Sequence, residues 1–194
     1  MPRSTRALVA LEAGELTDVL RLESRPVPTP KAGQALIRVT ATPLHASDLH
    51  VLRGRYRFSP EFAAVGGNRK CVGRVEALGP QTEGPKAGAR VVAAAIPAVP
   101  GPPVAGTWQE YLVIDARRLQ PVPDHLSDAT ACRLAVNPPT ALLLVTRELD
   151  VQPGECLLQT AAGSTVGRLV IQLARHLGIR TINVGSAISS PTRC

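Results

Sequence analysis

In this 194-residue chain the residues whose types and spacing could do chemistry lie at Ala162-Gly163-Ser164-Thr165-Val166-Gly167. They follow an apolar run, Glu155 to Thr160, and lead into Val166, Leu169, Val170, Leu173 and Leu177, whose spacing traces one face of a helix. Ala162, Ser164 and Gly167 occupy the three glycine positions of a relaxed G-x-G-x-x-G pattern. Small side chains there permit a tight strand-to-helix turn. They also let a pyrophosphate approach backbone N–H groups at the positive end of the helix dipole. The same composition suits a turn packed closely for structural reasons alone. Gly178 should end the helix and Ile179 to Val184 should form the next strand, so the region reads as a βαβ unit. No Asp or Glu follows Val184, where a carboxylate would hold a ribose 2′-hydroxyl, and this favours NADPH over NADH. Arg193 is available to face a 2′-phosphate, although a tail arginine also has the simpler role of a solvated charge.

The elements that must position this turn come before it. Residues 7–11, 35–42, 72–79, 90–96 and 108–114 alternate and carry β-branched side chains between Pro and Gly joints, which predicts a strand-rich lobe. The run 97–103 reads as a loop. From Pro121 onward Ala and Leu dominate, with Asp124 and Ser127 as candidate helix N-caps, and Pro138–Pro139 should separate two helices. The expected division is a β-rich lobe over 1–121 and a βαβ lobe over 122–194.

Composition narrows the partners. No run reaches the roughly 20 apolar residues of a membrane span, because Arg, Glu, Pro or Gly interrupts every one. The first residues carry Glu and Asp, unlike a secretory or transit segment, so the expected location is cytoplasmic. Four widely spaced cysteines without a C-x-x-C pair read as reduced thiols. The net charge of +7 is spread singly along the chain and aromatic residues make up 3%, a combination that argues against nucleic-acid binding.

Several strings, HASDLHVLRGRY, FAAVGGN, VGRVEALG, GTWQEYLVI, LAVNPPTALLLV and QPGECLLQTAAGSTVGRLVIQLARHLGIRTINV, occur in the order found in zinc-free medium-chain dehydrogenase/reductases. The chain resembles their 2-enoyl thioester reductases, with quinone oxidoreductases close behind. The resemblance implies an α/β fold in which a GroES-like β-rich lobe precedes an incomplete Rossmann lobe. It also implies hydride transfer from NADPH to the β-carbon of a conjugated enoyl thioester or to a quinone. On the same ground Tyr56, in Gly54-Arg55-Tyr56, is the expected catalytic phenol, which can donate a hydrogen bond to a developing enolate oxygen or relay a proton. Without the resemblance it reads as a tyrosine packed at a lobe edge. Asn137 and Thr140 match an N-P-x-T string beside the nicotinamide, though Asn before Pro–Pro is also an ordinary helix boundary. Cofactor contacts are therefore expected from Asn137, Thr140, Ala162, Gly163, Ser164, Thr165, Val166 and Gly167.

Trp108, the sole tryptophan, is expected in the core rather than on a substrate wall. His45 and Asn68 fall where zinc-dependent relatives place ligands, and a lone His without partners is no zinc site. Two departures stand out. Arg69-Lys70-Cys71 replaces the family's acidic residue and glycine, with one residue more, and the segment after Val184 looks unlike the family. Only the opening of a cofactor lobe is expected, so a second reading is a non-catalytic remnant that binds dinucleotide weakly, lacks reductase activity and self-associates through uncovered strands.

Overall fold

The computed structural model describes residues 3–55, 64–65, 67, 70–94 and 106–185. The chain divides into two compact units, Met1–Arg133 and Leu134–Cys194.

In chain order the first unit comprises β1 (Ser4–Ala10), α1 (Leu16–Val19), β2 (Leu20–Pro26), β3 (Gln34–Ala41), α2 (Ala46–Leu52), β4 (Ala64–Val65), β5 (Lys70–Leu78), β6 (Arg90–Ala94), β7 (Tyr111–Asp115), β8 (Leu119–Pro121) and α3 (Asp128–Ala131). Every strand pair in it is antiparallel, giving one sheet in the order β2-β1-β4 and another in the order β7-β3-β5-β6-β8. The alternation visible in β1 is the two-residue period of a half-buried strand: Thr5, Ala7 and Val9 are buried while Arg6 and Leu8 are exposed. Ile37, Val75, Val91, Leu112 and Ile114 meet in the larger core, so each central strand contributes its inward positions.

All five expected strand regions form, with ends shifted by a few residues and with residues 95–96 outside those described. The 97–103 loop also lies outside the described residues. The strand β2 was not expected, because Leu20–Pro26 has no buried residue and its hydrogen bonds come from β1 alone. Local hydrophobic period carries little signal in such an edge strand. Of the two expected caps, Ser127 opens α3, its hydroxyl accepting from the Thr130 N–H at 3.2 Å, whereas Asp124 lies in the preceding turn. Past the expected lobe boundary at 121, the Arg90 guanidinium donates to Asp128 at 2.7 Å and to the Leu126 carbonyl, holding this segment to the first unit.

The second unit contains α4 (Asn137–Leu143), a π-helical continuation at Leu144–Glu148, β9 (Cys156–Gln159), α5 (Thr165–His176) and β10 (Arg180–Asn183). The two strands pair in parallel, from Arg180 beside Cys156 to Asn183 beside Gln159, which makes the expected βαβ unit. Val166, Leu169, Val170, Leu173 and Leu177 turn the predicted face of α5 inward, where it packs with Ala141, Val145 and Ile179. Arg168, Gln172, Arg175 and His176 face outward, and Gly178 at φ +72° ends the helix. Pro138 and Pro139 do not lie between two helices as expected: residues 132–136 separate α3 from α4, and the prolines sit in the first turn of α4. A proline is tolerated there because the first N–H groups have no intrahelical partner.

Candidate dinucleotide-binding turn

The turn between β9 and α5 is built from its backbone outward. The chain reverses at Ala161, whose φ of +53° puts it in the left-handed region, one residue before the first matched small position at Ala162. Ala162 is buried and its N–H donates to the Val184 carbonyl at 3.1 Å, which ties the turn to the end of β10. The Ser164 N–H donates to the Ala161 carbonyl at 2.9 Å. Ser164 then caps α5: its hydroxyl accepts from the Gly167 N–H at 3.0 Å, and its carbonyl accepts from the Arg168 N–H at 3.0 Å.

These bonds leave the N–H groups of Thr165 and Val166 in the first helical turn without an intrahelical partner, as geometry requires of helix starts. Gly163, Ser164 and Thr165 are exposed, so the positive end of the dipole is open to an anion. At Gly167 a side chain would not fit, since a Cβ would lie 2.7 Å from the Ala161 carbonyl oxygen and 2.8 Å from the Ala162 Cα. Ala162, Gly163, Ser164, Thr165, Val166 and Gly167 thus come together in one turn.

Of the other expected cofactor residues, Asn137 is the half-buried first residue of α4, and Thr140 is exposed on the same helix. The Thr140 hydroxyl donates to the Val136 carbonyl at 2.7 Å, so it can offer a ligand only its lone pairs. Tyr56, Asn68 and Arg193 lie outside the described residues. Gln159 lies within the expected apolar run, Glu155 to Thr160. In the structure its Nε2 donates both to the Gly167 carbonyl at 3.1 Å and to the Asn183 Oδ1 at 2.7 Å. A polar residue closing an apolar strand just before the small-residue turn was the signal.

In the first unit, the anomalous Lys70-Cys71 pair is absorbed into the start of β5, opposite Ala94 and Ala93. Cys71 is fully buried, and burial pushes its thiol up to about 12. Lys70 is half-buried, and loss of water lowers its ammonium below the usual lysine range while the Asp48 charge opposes that fall. Asp48 is itself buried in the first turn of α2. Burial raises its carboxyl, and the hydrogen bond from the His45 N–H, at 2.7 Å, pulls it back. Among the described residues no group of three His, Cys, Asp or Glu side chains could hold a metal ion. Trp108 is half-buried rather than fully in the core, and Gly67 accommodates its ring. Among the described residues no helix is long and apolar enough to cross a membrane.

An antiparallel β lobe is thus followed by a parallel βαβ unit with a small-residue turn. Residues 31–124 match the alcohol dehydrogenase GroES-like domain. Over 183 residues the chain is 37% identical to a human enoyl-acyl-carrier-protein reductase, mitochondrial, an alignment covering 94% of this chain and 47% of the relative. A quinone oxidoreductase from Pseudomonas syringae superposes with a TM-score of 0.79 at 27% identity, covering 96% of this chain and 54% of that one. A mycobacterial protein complexed with NADPH gives a TM-score of 0.75 at 29% identity, covering 92% and 51%. The chain is similar to enoyl-acyl-carrier-protein reductases and quinone oxidoreductases, and its first unit carries the match to the GroES-like domain. It spans about half the length of the relatives it matches.

Proposed function

We propose that this chain carries the substrate lobe and the dinucleotide-binding turn of an NADPH-dependent reductase acting on an enoyl thioester or a quinone. The observation that carries the proposal is the Ser164-capped start of α5. Its exposed turn offers unpaired N–H groups in a chain similar along most of its length to reductases of this type. When bound, the reduced nicotinamide supplies a hydride to the β-carbon of the conjugated system, and a proton at the α-carbon completes the reduction. The N–H groups of Gly163, Thr165 and Val166 would hold the pyrophosphate, and Thr140, through its hydroxyl lone pairs, and Asn137, through its carboxamide, would offer polar contacts toward the nicotinamide end. Tyr56 donates its phenolic hydrogen to the enolate oxygen as charge develops there.

A second reading, binding without turnover, draws on the sheet face opposite α5. Leu158 and Ile182 are 64% and 56% exposed on it, so the βαβ unit presents an exposed apolar surface there. Titration of the purified chain with NADPH, followed by nicotinamide fluorescence, tests the shared premise. Saturable binding is expected, and its absence up to millimolar cofactor would overturn both readings. NADPH consumption on adding an enoyl thioester or a quinone supports the first reading. Binding with no consumption supports the second.

A further inference from the structure

We propose that the open edge of β2 is an interface at which two copies of this chain pair antiparallel about Leu22, with Arg21 of each opposite Glu23 of the other. Among the described residues β2 has β1 on one side and no strand on the other. The Val27 N–H donates to the Arg3 carbonyl at 2.9 Å, so the alternation of an antiparallel ladder turns the backbone groups of Arg21, Glu23 and Arg25 toward β1. Those of Leu20, Leu22 and Ser24 therefore face the open edge. Such an edge is a template for another strand.

The side chains of β2 specify what that strand should be. Leu22 is 65% exposed and its register partner on β1, Leu8, is exposed too, so the strand pair is apolar where a partner would meet it. Arg21, Glu23 and Arg25 point to the other face, with charges of alternating sign. Arg25 donates twice to Glu23 Oε2, at 3.0 and 2.9 Å, and among the described residues no donor occupies Oε1. Arg21 is exposed and donates one N–H to the Leu20 carbonyl at 3.0 Å, which leaves the rest of its guanidinium to a partner. In the register that sets Leu22 against the partner's Leu22, Leu20 lies opposite the partner's Ser24, so each edge residue both donates and accepts. Arg21 and the partner's Glu23 then form a non-hydrogen-bonded pair, the kind whose Cα atoms approach to about 4.5 Å, and the two-fold axis repeats the contact. Neighbouring registers are worse. A shift one way sets Arg21 against the partner's Arg21, a shift the other way sets Glu23 against the partner's Glu23, and like charges directly opposite are destabilising. A further shift in that second direction brings the partner's Pro26, which has no N–H, opposite Leu22. A second copy of the chain is thus the occupant that supplies the matching order of charges.

The test is analytical sedimentation over a concentration series. The chain carries Leu158→Glu and Ile182→Glu throughout, so that the apolar face of β9 and β10 does not contribute, and circular dichroism confirms the fold of every variant. A reversible dimer is expected, and a weak one, because a single strand edge buries less than a standard interface of about 1,600 Å². Arg21→Glu sets carboxylate against carboxylate at both symmetry-related positions and should weaken the dimer at least about tenfold, and Glu23→Arg should do the same with paired guanidiniums. Combining Arg21→Glu, Glu23→Arg and Arg25→Glu reverses all three charges, keeps their order, and should restore the dimer. Chain that stays monomeric up to about 1 mM, the weak end of specific association, would overturn the proposal. So would a dimer indifferent to either single reversal, or one that the full reversal fails to restore.

Discussion

Gly167 in α5 lies against Ala162 so closely that a Cβ on the glycine would stand 2.8 Å from the alanine Cα. Backbone occupies the space, so the neighbour cannot yield by rotating a side chain. Gly167→Ala should therefore destabilise the second unit by about 1–3 kcal/mol, the usual cost of overpacking. Chemical denaturation monitored by circular dichroism measures it, and a loss below experimental error would mean that helix and strand can move apart freely.

Ser164→Ala acts on the same turn through a different cause. It removes the acceptor of the Gly167 N–H and should cost about 1 kcal/mol, as an N-cap deletion does. Ser164→Asp should retain the cap, yet weaken NADPH by placing a carboxylate where phosphate is expected. Equal NADPH affinity in the Asp and unaltered chains would separate this turn from the cofactor.

The fold was legible where period and burial coincide. Val166, Leu169, Leu173 and Leu177 announce α5 because one face packs and the other is solvated. The polar edge strand Leu20–Pro26 escaped notice because β1, distant from its far end in sequence, fixes it. For the candidate site, small residues at Ala162 to Gly167 revealed the turn. The left-handed Ala161 and the hydrogen bonds of Gln159 depend on contacts with β10 and α5 that no local pattern encodes.

Gly67 and Trp108 offer a test in the first unit. Gly67 has φ +98°, and a Cβ there would come 2.4 Å from the indole Cδ1. Gly67→Ala is thus both strained and obstructed, and the ring must shift. With a single tryptophan in the chain, the emission spectrum reports on that ring alone, and a shift in its maximum is expected. An unchanged spectrum would contradict the contact.

Thiol chemistry should separate the cysteines. Cys71 and Cys132 are buried and their thiols are raised chiefly by burial, whereas Cys156 is exposed. Peptide-resolved alkylation at neutral pH should modify Cys156 well before Cys71 or Cys132. The folded chain holds the Cys71 proton up to about 12 against an ordinary value of 9.0, so it binds more protons than the unfolded chain between those values. The stabilisation is then complete below 9.0 and fades as pH climbs toward 12. Cys71→Ser or Cys71→Ala should flatten that alkaline loss, and an identical pH profile would refute the assignment.

The bare face of β9 and β10 should drive association. Leu158 and Ile182 are both more than half exposed there, and exchanging them for glutamate should lower the apparent mass in light scattering. A monomeric unaltered chain would contradict this expectation.

Amide resonances followed during an NADPH titration show whether the turn between β9 and α5 binds a nicotinamide dinucleotide. The largest shifts are expected on the N–H groups of Gly163, Thr165 and Val166 and should saturate with added cofactor. Shifts confined to other segments, or none at millimolar NADPH, would contradict it.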